Sequence, residues 1–113
     1  MRLLIGVIAA AALMSVANAP AKAASFSCME RDGKTAAEVR VCESPWLGGL
    51  DERMDSWYRR ALERARYFDQ TSQVKGEQRA WIAVRNACGA KFFCIRRAYV
   101  ERIRELKSYV EHV

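Results

Sequence analysis

The chain has 113 residues, 51% of them hydrophobic and 28% charged, with a formal net charge of +6 and four cysteines. That length limits it to one small domain. The charge is too modest and too dispersed for a nucleic-acid-binding face, and a single histidine leaves little for acid–base chemistry.

The first stretch reads as a targeting segment, not as fold. Arg2 precedes an apolar run from Leu3 to Ala17, too short for a membrane span. Ala17-Asn18-Ala19 and Ala21-Lys22-Ala23 are small-x-small patterns of the kind a signal peptidase reads. Pro20 disfavours cutting at the first, so cleavage is expected after Ala23, giving a signal peptide at 1–23 and a helical domain at 24–113. Losing Arg2 and Lys22 lowers the formal charge to +4. A mildly basic exported chain can meet anionic lipids or wall polymers.

Ala24 to Gly33 reads as an extended lead-in. Thr35 and Glu38 form a capping box for a short helix reaching about Cys42, with Val39 and Cys42 expected to face inward. Ser44-Pro45 ends that helix and starts the next, Ser44 as N-cap and Pro45 at the first helical position. The second helix is expected over Pro45–Phe68. Its inner stripe is Leu47, Leu50, Met54, Trp57, Tyr58, Ala61, Leu62, Ala65 and Phe68, stepping by threes and fours.

Asp69 to Ser72 is a polar break. The third helix is expected from Ser72 or Gln73 to Cys88, with Val74, Trp81, Val84 and Cys88 inward and Glu77 or Gln78 filling the gap. Gly89 suits its C-terminal cap. The last helix is expected over Lys91–Glu111, with Phe92, Ile95, Tyr99, Ile103, Leu106, Val110 and Val113 inward. Arg96, Arg97, Glu101, Arg102, Arg104 and Glu105 form its polar face. The whole is all-α: three longer helices and a short leading one.

An even cysteine count in an exported chain reads as disulfides. Of three connectivities, proximity in sequence favours Cys28–Cys42 and Cys88–Cys94. The spacings do not match the short Cys-x-x-Cys knuckles of zinc sites, so no metal or other cofactor is expected.

For chemistry, the one histidine, His112, lies next to the C-terminus and is a poor general base there. Carboxylates remain: Glu77 one turn from Trp81, and Asp51 one turn from Asp55. Helices offer such pairs by chance, and a small bundle seldom forms a deep cleft, so no catalytic residue is assigned. Trp57 and Trp81 fall on helical stripes and read as core, whereas Trp46 stands off the stripe. Gln78 and Arg85 suggest a buried polar network that bonds backbone groups at the helix junctions.

Several short motifs occur together: Ser25-Phe26-Ser27-Cys28, Glu38-Val39-Arg40-Val41-Cys42, Ser44-Pro45-x-Leu47-x-x-Leu50-Asp51, Tyr58-Arg59 and Glu77-Gln78-Arg79-Ala80-Trp81. They continue through Arg85-Asn86-x-Cys88-Gly89, Cys94, Tyr99 and Arg102-Ile103-x-x-Leu106. In this combination, over about Ser25 to Leu106, the chain resembles the lysozyme-inhibitor LprI-like domain family. The resemblance implies an exported, cysteine-bridged helical domain without enzymatic activity, periplasmic or secreted, that inhibits lysozyme. The implied partner is lysozyme or another envelope protein. The alternative is a structural or stress protein of the envelope that holds anionic polymers through its arginine-rich helices; no nucleic acid is expected. Animal c-type lysozymes are usually basic, so a chain near +4 needs a local acidic patch to meet one. Glu43, Asp51, Glu52 and Asp55, clustered in sequence at the start of the second helix, are the candidate partner-binding residues.

Overall fold

The computed structural model describes residues 23–30 and 32–112. The leading segment before Ala23, and Val113 of the last stripe, lie outside the described residues. Four helices follow in order: α1 (Ala36–Glu43), α2 (Pro45–Tyr67), α3 (Thr71–Ala87) and α4 (Phe92–Glu111). The all-α architecture is the one the periodicities predict.

Local chemistry sets the boundaries. Thr35 accepts from the Glu38 amide while the Glu38 carboxylate accepts from the Thr35 amide, the reciprocal capping box that starts α1. Ser44 ends α1 and caps α2 through the Leu47 amide, with Pro45 in the first turn. Asp69, with a positive φ of 55°, turns the chain between α2 and α3. Helix α3 starts at Thr71, slightly earlier than expected, and Gln70 precedes it without a side-chain cap. Gly89, at φ 59°, takes the left-handed position after α3.

The most extensive contact is between α2 and α4, while α1 packs on α2 and α3. Leu47, Met54, Ala61 and Ala65 of α2 meet a core completed by Ile95, Tyr99 and Leu106 of α4. Trp81 packs edge-on to Tyr99 with ring centroids 5.0 Å apart, and its indole N–H donates to the Ala98 carbonyl at 2.9 Å. Both disulfides have the expected pairing. Cys28–Cys42 ties the lead-in to the end of α1, and Cys88–Cys94 spans the α3–α4 turn.

Several inward assignments change. In α1, Ala37 and Val41 are buried and Val39 is exposed. Phe68 follows α2 as its exposed C-cap. The buried positions of α3 are Val74, Gln78, Trp81 and Arg85, followed by Cys88 just past its end. Four residues on from Trp81 is Arg85, so the arginine turns inward and Val84 points out at 60% exposure. Arg102, expected on the polar face of α4, is buried. Polar side chains hold these stripe positions because they find partners inside the bundle.

Candidate functional site

Two regions carry concentrated chemistry: a polar chain inside the bundle and an aromatic, arginine-rich groove on its surface.

The interior chain begins at Asp51. Its carboxylate accepts from the Tyr99 hydroxyl at 2.8 Å, from the Ser25 amide at 2.8 Å and from the Ser25 hydroxyl. Tyr99 accepts from the Arg85 guanidinium at 3.3 Å. Arg85 donates also to Asn86 Oδ1, and lies 3.5 Å from a Glu38 carboxylate oxygen. Asn86 Oδ1 in turn accepts from the Thr35 hydroxyl at 3.1 Å. Arg85 thus bonds side chains, not the backbone groups expected for it. Its guanidinium lies between the rings of Phe26 and Trp81, 5.1 and 5.4 Å from their centroids.

Asp51 on α2, Tyr99 on α4, Arg85 on α3 and Glu38 on α1 therefore link all four helices. Burial pushes the Tyr99 hydroxyl far above the ordinary phenol range, and the Asp51 carboxylate beside it adds to the effect. A second buried link runs from the Arg102 Nε to Gln78 Oε1 at 2.9 Å, and Gln78 Nε2 lies 3.2 Å from the Met54 sulfur. Hydrogen-bonded networks of this kind specify one arrangement of a core, although Arg102 Nη2 is buried without a partner. They offer nothing to a partner, because Asp51, Tyr99, Arg85, Gln78 and Arg102 are all buried.

This placement divides the acidic set. Asp51 is fully buried and leaves it. Glu43 and Glu52 are exposed, and the partly covered Asp55 pairs with Arg59 at 2.9 Å. Glu77, the carboxylate singled out beside Trp81, is exposed on a shallow hollow of about 370 Å³ that Glu101, Arg102 and Glu105 also line. Its three carboxylates, Glu77, Glu101 and Glu105, are solvated, with Glu105 accepting from Arg102 at 3.2 Å. Among the described residues no cluster of His, Cys, Asp or Glu could hold a metal ion, and no free cysteine remains.

The surface groove lies between α2 and α4, with a volume of about 590 Å³. Pro45, Gly49 and Leu50 line it from α2, and Phe92 and Val100 from α4. Trp46 and Phe93 stand on it at 81% and 76% exposure, and Arg53 and Arg96 line it beside them. Trp46 is therefore a surface residue, while Trp81 is core and Trp57 is half-buried under Arg60, whose guanidinium sits 4.2 Å from its ring centroid. The helical stripes leave Trp46 open and assign Phe93 to neither stripe nor site. The signal that could have found them is phase: both are large aromatic residues off the inner stripe, beside an arginine seven or three positions on.

A family model described as lysozyme inhibitor LprI matches residues 28–106. No curated protein and no solved structure matches the chain.

Proposed function

The chain belongs to the lysozyme inhibitor LprI family, and from that premise we propose that it is an exported, non-enzymatic protein that binds and inhibits lysozyme. The observation that carries this reading is the extent of the match. It begins at Cys28 of the first disulfide and ends at Leu106, a buried residue of α4, so it takes in all four helices except the end of α4. Two disulfides agree with an oxidising compartment, periplasmic or extracellular. Among the described residues, no helix is long and apolar enough to cross a membrane. The leader is proposed to end at Ala23.

Glu43, Glu52 and Asp55 are the acidic residues proposed to face a basic lysozyme surface, with Asp51 set aside by its burial. The test is lysis of cell walls by lysozyme in the presence of increasing mature protein. Dose-dependent slowing supports the reading, and reversing Glu43, Glu52 and Asp55 to Lys should weaken the effect while leaving the helical signal intact. No slowing at micromolar protein would reject it.

A second reading, an envelope protein that holds anionic polymers, is favoured by Arg96, Arg97 and Arg104, all exposed on α4. It predicts wall-polymer binding that falls steeply with salt and weakens when those arginines are replaced.

A further inference from the structure

The α2–α4 groove has the composition of a binding hot spot, with exposed aromatic rings beside guanidinium groups. Trp46 and Phe93 are large aromatic side chains left mostly exposed. Each has a guanidinium on the same helix face: Arg53 two turns from Trp46, and Arg96 one turn from Phe93. Arg40 adds a third, 5.5 Å above the centroid of the Phe92 ring that lines the groove. Among the described residues, none of these three arginines forms a salt bridge, as is true of most exposed arginines here, so it is the neighbouring aromatic rings that mark this face. Tryptophan and arginine are the residues most enriched where binding energy concentrates.

The groove is also held in place before any partner arrives. Pro45 and the Ser44 cap fix the start of α2 beneath Trp46. Cys94, bonded to Cys88, anchors the first turn of α4 immediately after Phe93. A backbone fixed in this way loses little conformational freedom on binding.

Unpaired arginines select a carboxylate-rich partner surface, preferably one that a guanidinium can grip with two parallel hydrogen bonds. On a basic glycosidase, a cationic face is repelled everywhere except where carboxylates gather. That place is the cleft, where a retaining glycosidase holds two carboxyl groups about 5–5.5 Å apart among its sugar subsites. Resting on the inhibitor reading above, we propose that the Trp46–Arg53 and Phe93–Arg96 ridges of this groove dock into the catalytic cleft of lysozyme. The arginines face its paired carboxylates, and the aromatic rings occupy space that sugar rings otherwise fill. This docking meets like net charge with opposite local charge, and it blocks substrate directly.

The test is calorimetric titration of the mature protein into a c-type lysozyme, free and then saturated with chitotriose, which competes for sugar subsites of the cleft. Two groove variants, Trp46→Ala with Phe93→Ala and Arg53→Glu with Arg96→Glu, are compared with Arg66→Glu with Arg79→Glu, which makes the same change in net charge on exposed residues outside the groove. Circular dichroism confirms that each variant is folded. Each groove variant should lose at least about tenfold in affinity, and the control less than about threefold. Chitotriose should weaken binding by the wild-type protein, as a competitor for the cleft. Wild-type affinity that is unchanged by chitotriose, or groove variants that bind as the control does, would overturn the docking proposal and leave the inhibitor reading standing. A wild-type protein that binds no lysozyme overturns both. If the groove variants instead lose binding only to anionic wall polymer, the face belongs to the polymer-binding reading and the proposal fails.

Discussion

The Tyr99 hydroxyl donates a 2.8 Å hydrogen bond to Oδ1 of Asp51, and this contact joins α4 to α2 inside the bundle. Both residues are fully buried. The same carboxylate accepts from the Ser25 amide, so it also ties down the chain that leads into the fold.

Asp51→Asn should therefore destabilise the protein without touching its partner surface. An amide keeps one acceptor and turns an NH2 group toward the donors of Tyr99 and Ser25. The loss of charge-assisted hydrogen bonds in a buried site costs about 2–3 kcal/mol. For a domain of this size that lowers Tm by roughly 8–20 °C. On the inhibitor reading proposed above, the variant below its own Tm should inhibit lysozyme as well as the wild type does. An unchanged Tm, or lost inhibition at full stability, would contradict a purely structural Asp51.

Stability should fall at alkaline pH for a reason that can be assigned to one residue. The Tyr99 hydroxyl has its pKa raised in the folded protein, first by burial and then by the Asp51 carboxylate. Raising a folded-state pKa favours the protonated form, so this contribution is fully present below the unfolded phenol value of about 10 and is lost as pH rises above it. The unfolded chain releases its proton first, and unfolding is drawn forward. Thermal melts from pH 8 to 11 should show Tm falling more steeply in the wild type than in Tyr99→Phe, which starts lower because it lacks the hydroxyl. Parallel pH profiles would show that Tyr99 does not control the alkaline slope.

The sequence makes the helices legible because their punctuation is local. The Thr35–Glu38 capping box, Ser44-Pro45 and Gly89 act within one turn of themselves, and each stands where its chemistry predicts. The phase of α3 was not legible in the same way. Counting only apolar residues selects Val84; the polar network read at Gln78 and Arg85 is indeed buried, but its partners Arg102 and Tyr99 lie on another helix instead of on the backbone. A long-range partner cannot be read from spacing. The same reason hid Asp51, which looked like one more surface acid until its donors from Ser25 and Tyr99 were in view. The motif residues Glu38, Asp51, Gln78, Trp81, Arg85, Tyr99 and Arg102 thus make up the internal wiring of the bundle. A surface for partners has to be built from other residues, which is why the resemblance indicated a family and pointed to no contact site.

The two bridges and the proposed processing site can be tested on one sample of exported protein. Cleavage after Ala23 would place a new ammonium group one residue before Ser25, whose amide donates to the buried Asp51 carboxylate. The intact mass should begin at Ala24 and stand four hydrogens below the fully reduced chain, two for each disulfide. A mass that retains Leu3 to Ala17 would overturn the proposed export route. The Cys28–Cys42 bridge closes a loop of 14 residues in sequence separation and the Cys88–Cys94 bridge one of 6. The chain-entropy model assigns each roughly 2–3 kcal/mol, with the longer loop contributing more. Replacing Cys28 and Cys42 together by Ser should thus lower Tm at least as far as replacing Cys88 and Cys94. The α3–α4 replacement has a second consequence, because Cys94 follows Phe93 directly. It should loosen the first turn of α4 and weaken lysozyme binding at temperatures where the protein is still folded. Equal binding by the two double variants, measured well below both melting points, would show that the turn bridge contributes to stability alone.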